Sequence, residues 1–244
     1  MQLRRYPMTA RSARATCFSL VLFLLMPAVV RAADDPDTER ITASGNVLRE
    51  LLNASSGVPR GLLNKSDCVI ILPGVVKGGF IVGGQYGKGL MSCRSGAHFN
   101  GRWSAPVMMQ SSGGSFGLQA GGQSTDFVVL VMNEGGARAV LNGKAKLGAD
   151  ASIAAGPIGR DAEASTNASM SAQMLSYSRT KGVFAGVSLS GTSLGPDSGA
   201  NEKIYGKKID GPAIQSGSVK APAAASQLLA TLTSASPASA HPKN

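Results

Sequence analysis

Aromatic side chains make up only 5% of the 244 residues, and the chain has two histidines, three cysteines and one tryptophan. So few rings argue against a helical bundle. The 31 glycines point instead to closely spaced strands and tight turns. The shortage of histidine and cysteine also removes most metal chemistry. His98 and His241 lie far apart, Cys68 and Cys93 are not a close-spaced pair, and Asp197, Asn201 and Glu202 do not match a calcium loop. No metal and no cofactor is expected. No Lys/Arg run interleaved with aromatics occurs, so nucleic acid is not an expected partner either.

Two glycine-rich stretches imitate catalytic motifs and fail on chemistry. Gly113-Gly-Ser-Phe-Gly117 has the Gly-x-Ser-x-Gly form of a nucleophile elbow. That motif needs a later histidine as base, and the only later one is His241, near the C-terminus. Gly83-Gly-Gln-Tyr-Gly-Lys-Gly89 is one residue short of a phosphate loop, with Gly89 where a magnesium-binding hydroxyl belongs. Both read as turns, and the chain is not expected to be an enzyme.

What the chain does have begins with a leader pattern. Arg4, Arg5, Arg11 and Arg14 precede an apolar run over residues 17–30, which closes on Val30-Arg31-Ala32. Basic region, apolar region and small-residue site come in the order of a secretory signal peptide, expected over residues 1–32 with cleavage near Ala32. The run is short of the roughly 20 residues that span a bilayer. A periplasmic or secreted protein, peripheral on a membrane at most, is the expected product. Without five leader arginines the basic count falls to 24 − 5 = 19 against 14 acids, a net charge of +5 rather than +10. That mild excess suits an anionic lipid surface. In an oxidising compartment Cys68 and Cys93 are either a disulfide or two buried thiols.

Residues 38–54 carry Ile41, Val47, Leu48, Leu51 and Leu52 at helical spacing, and Pro59 opens a short second helix. Strands are expected at 68–72, stopped by Pro73-Gly74, then at 79–84 and 89–94 around a glycine turn. Others follow at 103–110, 115–120, 126–132, 149–155, 162–167, 172–180 and 183–190, with a helix at 134–142. Residues 211–244 are rich in Ala, Ser and Pro and are expected to be a disordered tail, with at most a transient helix at 223–232. The fold expected is α+β: short N-terminal helices packed on an extensive antiparallel β-sheet curled into a barrel or sandwich over residues 33–210.

An ordered set of motifs runs through this region. Ile71-Leu-Pro-Gly-Val-Val-Lys-Gly-Gly-Phe80 is followed by Gly83-Gly-Gln-Tyr-Gly-Lys-Gly89, Trp103-Ser-Ala-Pro106 and Gly114-Ser-Phe-Gly-Leu-Gln-Ala-Gly121. Later come Thr125-Asp-Phe-Val-Val129, Lys181-Gly-Val-Phe-Ala-Gly-Val-Ser188 and Asn201-Glu-Lys-Ile-Tyr-Gly206. Over residues 45–207 the set resembles the SYLF domain, known also through an actin-binding version in yeast proteins. The resemblance implies a binding module for membranes or actin filaments. In an exported chain it implies anionic phospholipid ahead of actin, with a structural or adhesion role through protein contacts as the alternative.

Lipid binding requires basic residues and apolar area. Lys77, Lys88, Arg94 and Arg102 lie near glycine turns in the first half of the sheet, and Lys144, Lys146, Arg160 and Lys181 in the second; these are the candidate headgroup contacts. The helix bearing Ile41, Leu48, Leu51 and Leu52 is the candidate membrane segment, with packing on the sheet as its other reading.

Overall fold

The computed structural model describes residues 35–54, 57–117, 123–143, 145–159, 171–180 and 182–241, with the backbone alone at 79–82, 115–117 and 123. The leader pattern, the strand expected at 162–167, and Lys144, Arg160 and Lys181 lie outside these residues. Helices α1 (Pro36–Asn53) and α2 (Arg60–Lys65) precede strands β1 (Cys68–Cys93), β2 (Val107–Gly117) and β3 (Gln123–Val131). Helix α3 (Glu134–Leu141) leads to β4 (Ala145–Lys146), β5 (Ile153–Ala155), β6 (Met174–Thr180), β7 (Val183–Gly186) and β8 (Thr192–Pro196). Helices α4 (Ser198–Tyr205), α5 (Gly211–Gln215) and α6 (Ser226–Ala235) complete the order.

The strands form one sheet in the order β4-β8-β2-β1-β3-β6-β5, with β7 on β6, curled into a half-barrel. All pairings between named strands are antiparallel except β5 with β6. The α+β expectation holds, with that parallel pair making the sheet mixed.

β1 is longer than any straight path through this domain allows. Its 26 residues, fully extended, would reach about 85 Å. Instead its ends meet. The Cα atoms of Cys68 and Cys93 are 3.9 Å apart, and the Arg94 N–H donates to the Asp67 carbonyl at 2.7 Å. Residues 68–77 pair with β3 and residues 81–91 with β2, so the chain reverses between Lys77 and Ile81. This corrects two expectations. Residues 83–89 are paired strand rather than a turn, and Pro73-Gly74 is a bulge between Leu72 and Val75 rather than a strand end. The Cys68 and Cys93 sulfurs are bonded across the hairpin base.

Both faces of the sheet are covered, which explains why its central strands read as unbroken apolar runs. In β3, Phe127, Val129 and Val131 enter one core with Val140 and Leu141 of α3 and Ile214 of α5. Val128 and Leu130 enter the other with Ile41, Val47, Leu48 and Leu51 of α1, Leu62 and Leu63 of α2, and Leu228 and Leu232 of α6. Ile41, Leu48 and Leu51 are at most 1% exposed. Each such burial contributes about 1.5–3 kcal/mol, so the apolar face of α1 is already committed. The membrane reading of Ile41, Leu48 and Leu51 gives way to the core reading; Leu52 alone of that set is half-buried.

The tail is the largest correction. Residues 211–244 were expected to lack fixed structure, yet α5 and α6 form within them and Ala225, Leu228 and Leu232 are fully buried. The segment supplies little apolar area, but α1 supplies the rest. Gly45 of α1 faces the Leu228 backbone, where an added Cβ would make ordinary contact with its nitrogen at 3.6 Å.

Asp67 lies at the sheet base, 3% exposed. Burial pushes its carboxyl up to about 6, the charge of Glu134 adds to the rise, and Arg94 opposes it. Raised from 3.8, this group contributes stability that is present below pH 4 and lost as pH rises through 6. At 1.36 kcal/mol per unit the loss is on the order of 2–3 kcal/mol. Urea titrations at pH 4.5 and 7.5 should show it as the difference between the wild-type chain and Asp67→Asn. Parallel pH profiles for the two would contradict it.

Candidate functional site

The cross-strand register assembles a site that sequence distance hides. A Cβ added to Gly87 would sit 2.5 Å from Val75 Cγ2, so Val75 faces Gly87 and Val76 stands beside Tyr86. Tyr86 pairs with Ser112, Ser112 with Ser193, and Ser193 with Lys146; on the other side Val76 pairs with Ser124. Directly opposed residues point to the same face. The row therefore reads Lys146, Ser193, Ser112, Tyr86, Val76, Ser124 across six strand segments, and none of its members is buried. Val76 is 56% and Tyr86 51% exposed.

Four residues along each strand on the same face, Leu90, Met108 and Val128 lie beneath α1 and are at most 1% exposed. The helical cover stops between these two levels, and ion pairs mark the stop. Lys88 Nζ lies 2.7 Å from Asp197 Oδ2, while Arg179 pairs with Asp126 at 2.7 Å and with Glu50 of α1. Burial works to raise the Asp197 carboxyl, yet the Lys88 hydrogen bond and the Ala200 N–H hold it below its usual value. The Lys88 ammonium is correspondingly raised by Asp197. Asn201 fixes α4 here: its carboxamide accepts from Met108 N–H at 2.8 Å and donates to the Met108 carbonyl at 3.1 Å.

Beyond the ion pairs the described residues leave the face of this row bare. On the other face at the same end, Thr125 and Val75 pair and are buried, while Val183, 65% exposed, stands against Thr180. Lys77 sits half-buried with its ammonium 4.9 Å from the Phe127 ring centroid, and burial lowers its pKa.

The eight basic candidates thus separate. Lys77 and Lys146 reach the bare end. Lys88 borders it but is held by Asp197. Arg102 is exposed near the opposite end, beside the Arg94–Trp103 bridge. Arg94 is no surface charge at all: it is fully buried, stacked 4.1 Å from the Trp103 ring. Val76, Tyr86 and Val183 were missed, because single exposed apolar residues in sequence carry no signal until the register groups them.

The Gly-x-Ser-x-Gly stretch lies within β2, with Ser115 opposite Gly83. Ten strand residues, about 33 Å, separate that position from Cys93 at the hairpin base. His241 is at the base, its Nδ1–H donating to the Asn64 carbonyl at 2.8 Å and its Nε2 3.4 Å from Asp67 Oδ1. It is too far from position 115 to serve as a base there. Among the described residues no group of three His, Cys, Asp or Glu side chains is placed to hold a metal, and no helix is long and apolar enough to cross a membrane.

A family model described as "Ysc84: Las17-binding protein actin regulator" matches residues 112–235. The chain belongs to the Ysc84, or SYLF, family. Its match runs through α6, so the helix that the composition hides is part of the family's domain. An SH3 domain-containing protein of Schizosaccharomyces pombe is 39% identical over 189 residues, covering 76% of this chain and 43% of that protein. Protein YSC84 of Saccharomyces cerevisiae is 36% identical over 188 residues, covering 76% and 39%. The SH3 domain-containing YSC84-like protein 1 of Xenopus laevis is 31% identical over 171 residues, covering 67% and 50%. The chain spans half or less of each of these relatives. The family is one of binding domains, and its relatives support a protein-interaction module.

Proposed function

We propose that this domain is a non-enzymatic module of the cell envelope that binds anionic phospholipid through the bare end of its sheet. The observation that carries the reading is the exposed row in which Tyr86 and Val76 stand beside hydroxyls and Lys146 with no acid among them. Asp150, the nearest acid in sequence, accepts the Lys146 backbone N–H at 2.6 Å. Tyrosine suits the headgroup level because its ring is apolar and its hydroxyl remains wet. Each lysine near an anionic surface contributes on the order of 1 kcal/mol. Export fits the reading, since the Cys68–Cys93 bond persists in an oxidising compartment.

Co-sedimentation with phosphatidylglycerol or cardiolipin vesicles at low salt is the test, with phosphatidylcholine vesicles as control. Tyr86→Ser combined with Val76→Ser should weaken binding about tenfold, from roughly 1–2 kcal/mol of lost burial. Lys146→Glu should weaken it about fivefold or more and flatten its salt dependence. Anionic vesicles that fail to capture the wild-type protein, or capture all variants equally, would end the proposal.

A further inference from the structure

The C-terminal segment is held as a ligand is held. Leu228 and Leu232, four residues apart on α6, bury themselves against α1, and Ser236 follows four residues later at the hairpin base. Trp103 Nε1–H donates to the Ser236 carbonyl at 2.9 Å, Arg94 Nη2 donates to Ser236 Oγ at 2.6 Å, and that hydroxyl donates to the Leu63 carbonyl at 3.3 Å. His241 closes the segment on Asn64 and Asp67. This is a helix laid in a groove by one apolar stripe and fixed at its end by a polar anchor.

Three features make the segment separable from its seat. Residues 221–240 contain no charged side chain, so no ion pair fastens α6. A groove of about 370 Å³ remains open between α1 and α6, lined by Arg49, Leu52, Arg60 and Thr231 among others. The floor of the seat also keeps unspent capacity: Arg94 Nε and Nη1, Asp67 Oδ2 and Asn64 Oδ1 are buried without a hydrogen-bond partner among the described residues.

We propose that this seat is a recognition groove whose resident is exchangeable, and that it takes from a protein partner a short amphipathic helix with two apolar residues four apart and a polar side chain four further on. A tethered resident has a high effective concentration, so a competitor needs contacts that the resident lacks. The unspent atoms are both donors and acceptors. The favoured partner therefore ends in a primary amide, which accepts from Arg94 and donates to Asp67 or Asn64. The inference is independent of lipid binding at the far end of the sheet.

Trp103 is the chain's one tryptophan and reports on the seat alone. In the full chain, Leu228→Ala with Leu232→Ala should shift its emission to the red and raise acrylamide quenching severalfold, with far-UV circular dichroism retained. Added peptide of sequence 222–241 should reverse both changes, and the same peptide carrying Ser236→Gln should do so at a concentration about tenfold lower. A folded variant with unchanged Trp103 emission, or peptides that restore nothing, would overturn the proposal. Loss of the fold in the double variant, with Ser236→Ala leaving emission unmoved, would also overturn it, since the segment would then be fixed core.

Discussion

Gly89→Ala should cost at least about 3 kcal/mol in urea denaturation and leave little folded protein at 37 °C. A Cβ at that position would lie 1.9 Å from the Ile71 carbonyl oxygen and 2.8 Å from Leu72 Cα. Both neighbours are backbone, and both belong to the facing half of the same hairpin, so no rotamer change relieves the clash. The two halves must part, and the cores on both faces of the sheet lose their registration together. Gly84 gives the comparison within the same strand, because nothing lies within 4 Å of its added Cβ. Gly84→Ala should fall within about 0.5 kcal/mol of the wild-type chain. Equal effects at the two positions would show that the hairpin is not closed as described.

Removing the Cys68–Cys93 bond should cost roughly 3 kcal/mol. The bond closes a sequence separation of 25 residues, and the chain-entropy relation gives about that value for such a loop. For a domain of this size the melting temperature should fall by roughly 6–12 °C. The pair Cys68→Ala and Cys93→Ala, melted beside the wild-type chain with and without a dithiol, separates loss of the bond from loss of packing. The wild-type mass should rise after reduction and alkylation in denaturant, and not after alkylation alone. Free thiols in the unreduced protein would contradict the pairing. So would a melting temperature that the double substitution leaves unmoved.

How much of this was legible depended on whether a residue's partner was near in sequence. β3 was legible because residues 127–131 are buried on both faces, and a short run that is apolar at every position fits a strand covered on both sides. α3 was legible because Gly135-Gly-Ala-Arg-Ala-Val-Leu141 loses the strand alternation; its cap, Asn133 accepting from the Gly136 N–H at 2.9 Å, is equally local. The reversal of β1 was misplaced because Gly83-Gly-Gln-Tyr-Gly-Lys-Gly89 has the composition of a turn. Glycine is needed there for another reason, the close approach of the facing strand at Gly87 and Gly89. β8 and α4 went unrecognised because Thr192–Pro196 is too short and polar to alternate, and the Asn201 contacts that hold α4 reach back to Met108.

The candidate site divides in the same way. Lys77 and Lys146 were recognised as basic residues near turns, but only the register shows that they share one end of the sheet. Arg94 was read as a surface charge although it follows Leu90, Met91, Ser92 and Cys93, all fully buried. That run was the available signal that the next residue enters the interior as well.

The packing of α6 against α1 has a consequence for the order of events during synthesis. Gly45 and Leu228, which touch, are about 180 residues apart in the chain. At the usual elongation rate of 5–20 residues per second, α1 waits roughly 10–40 s for its last neighbour to be made. Throughout that interval the apolar face of α1 has only an incomplete partner surface. The α1 face is therefore completed only after α6 has been made, well after its contacts with the first strands can form.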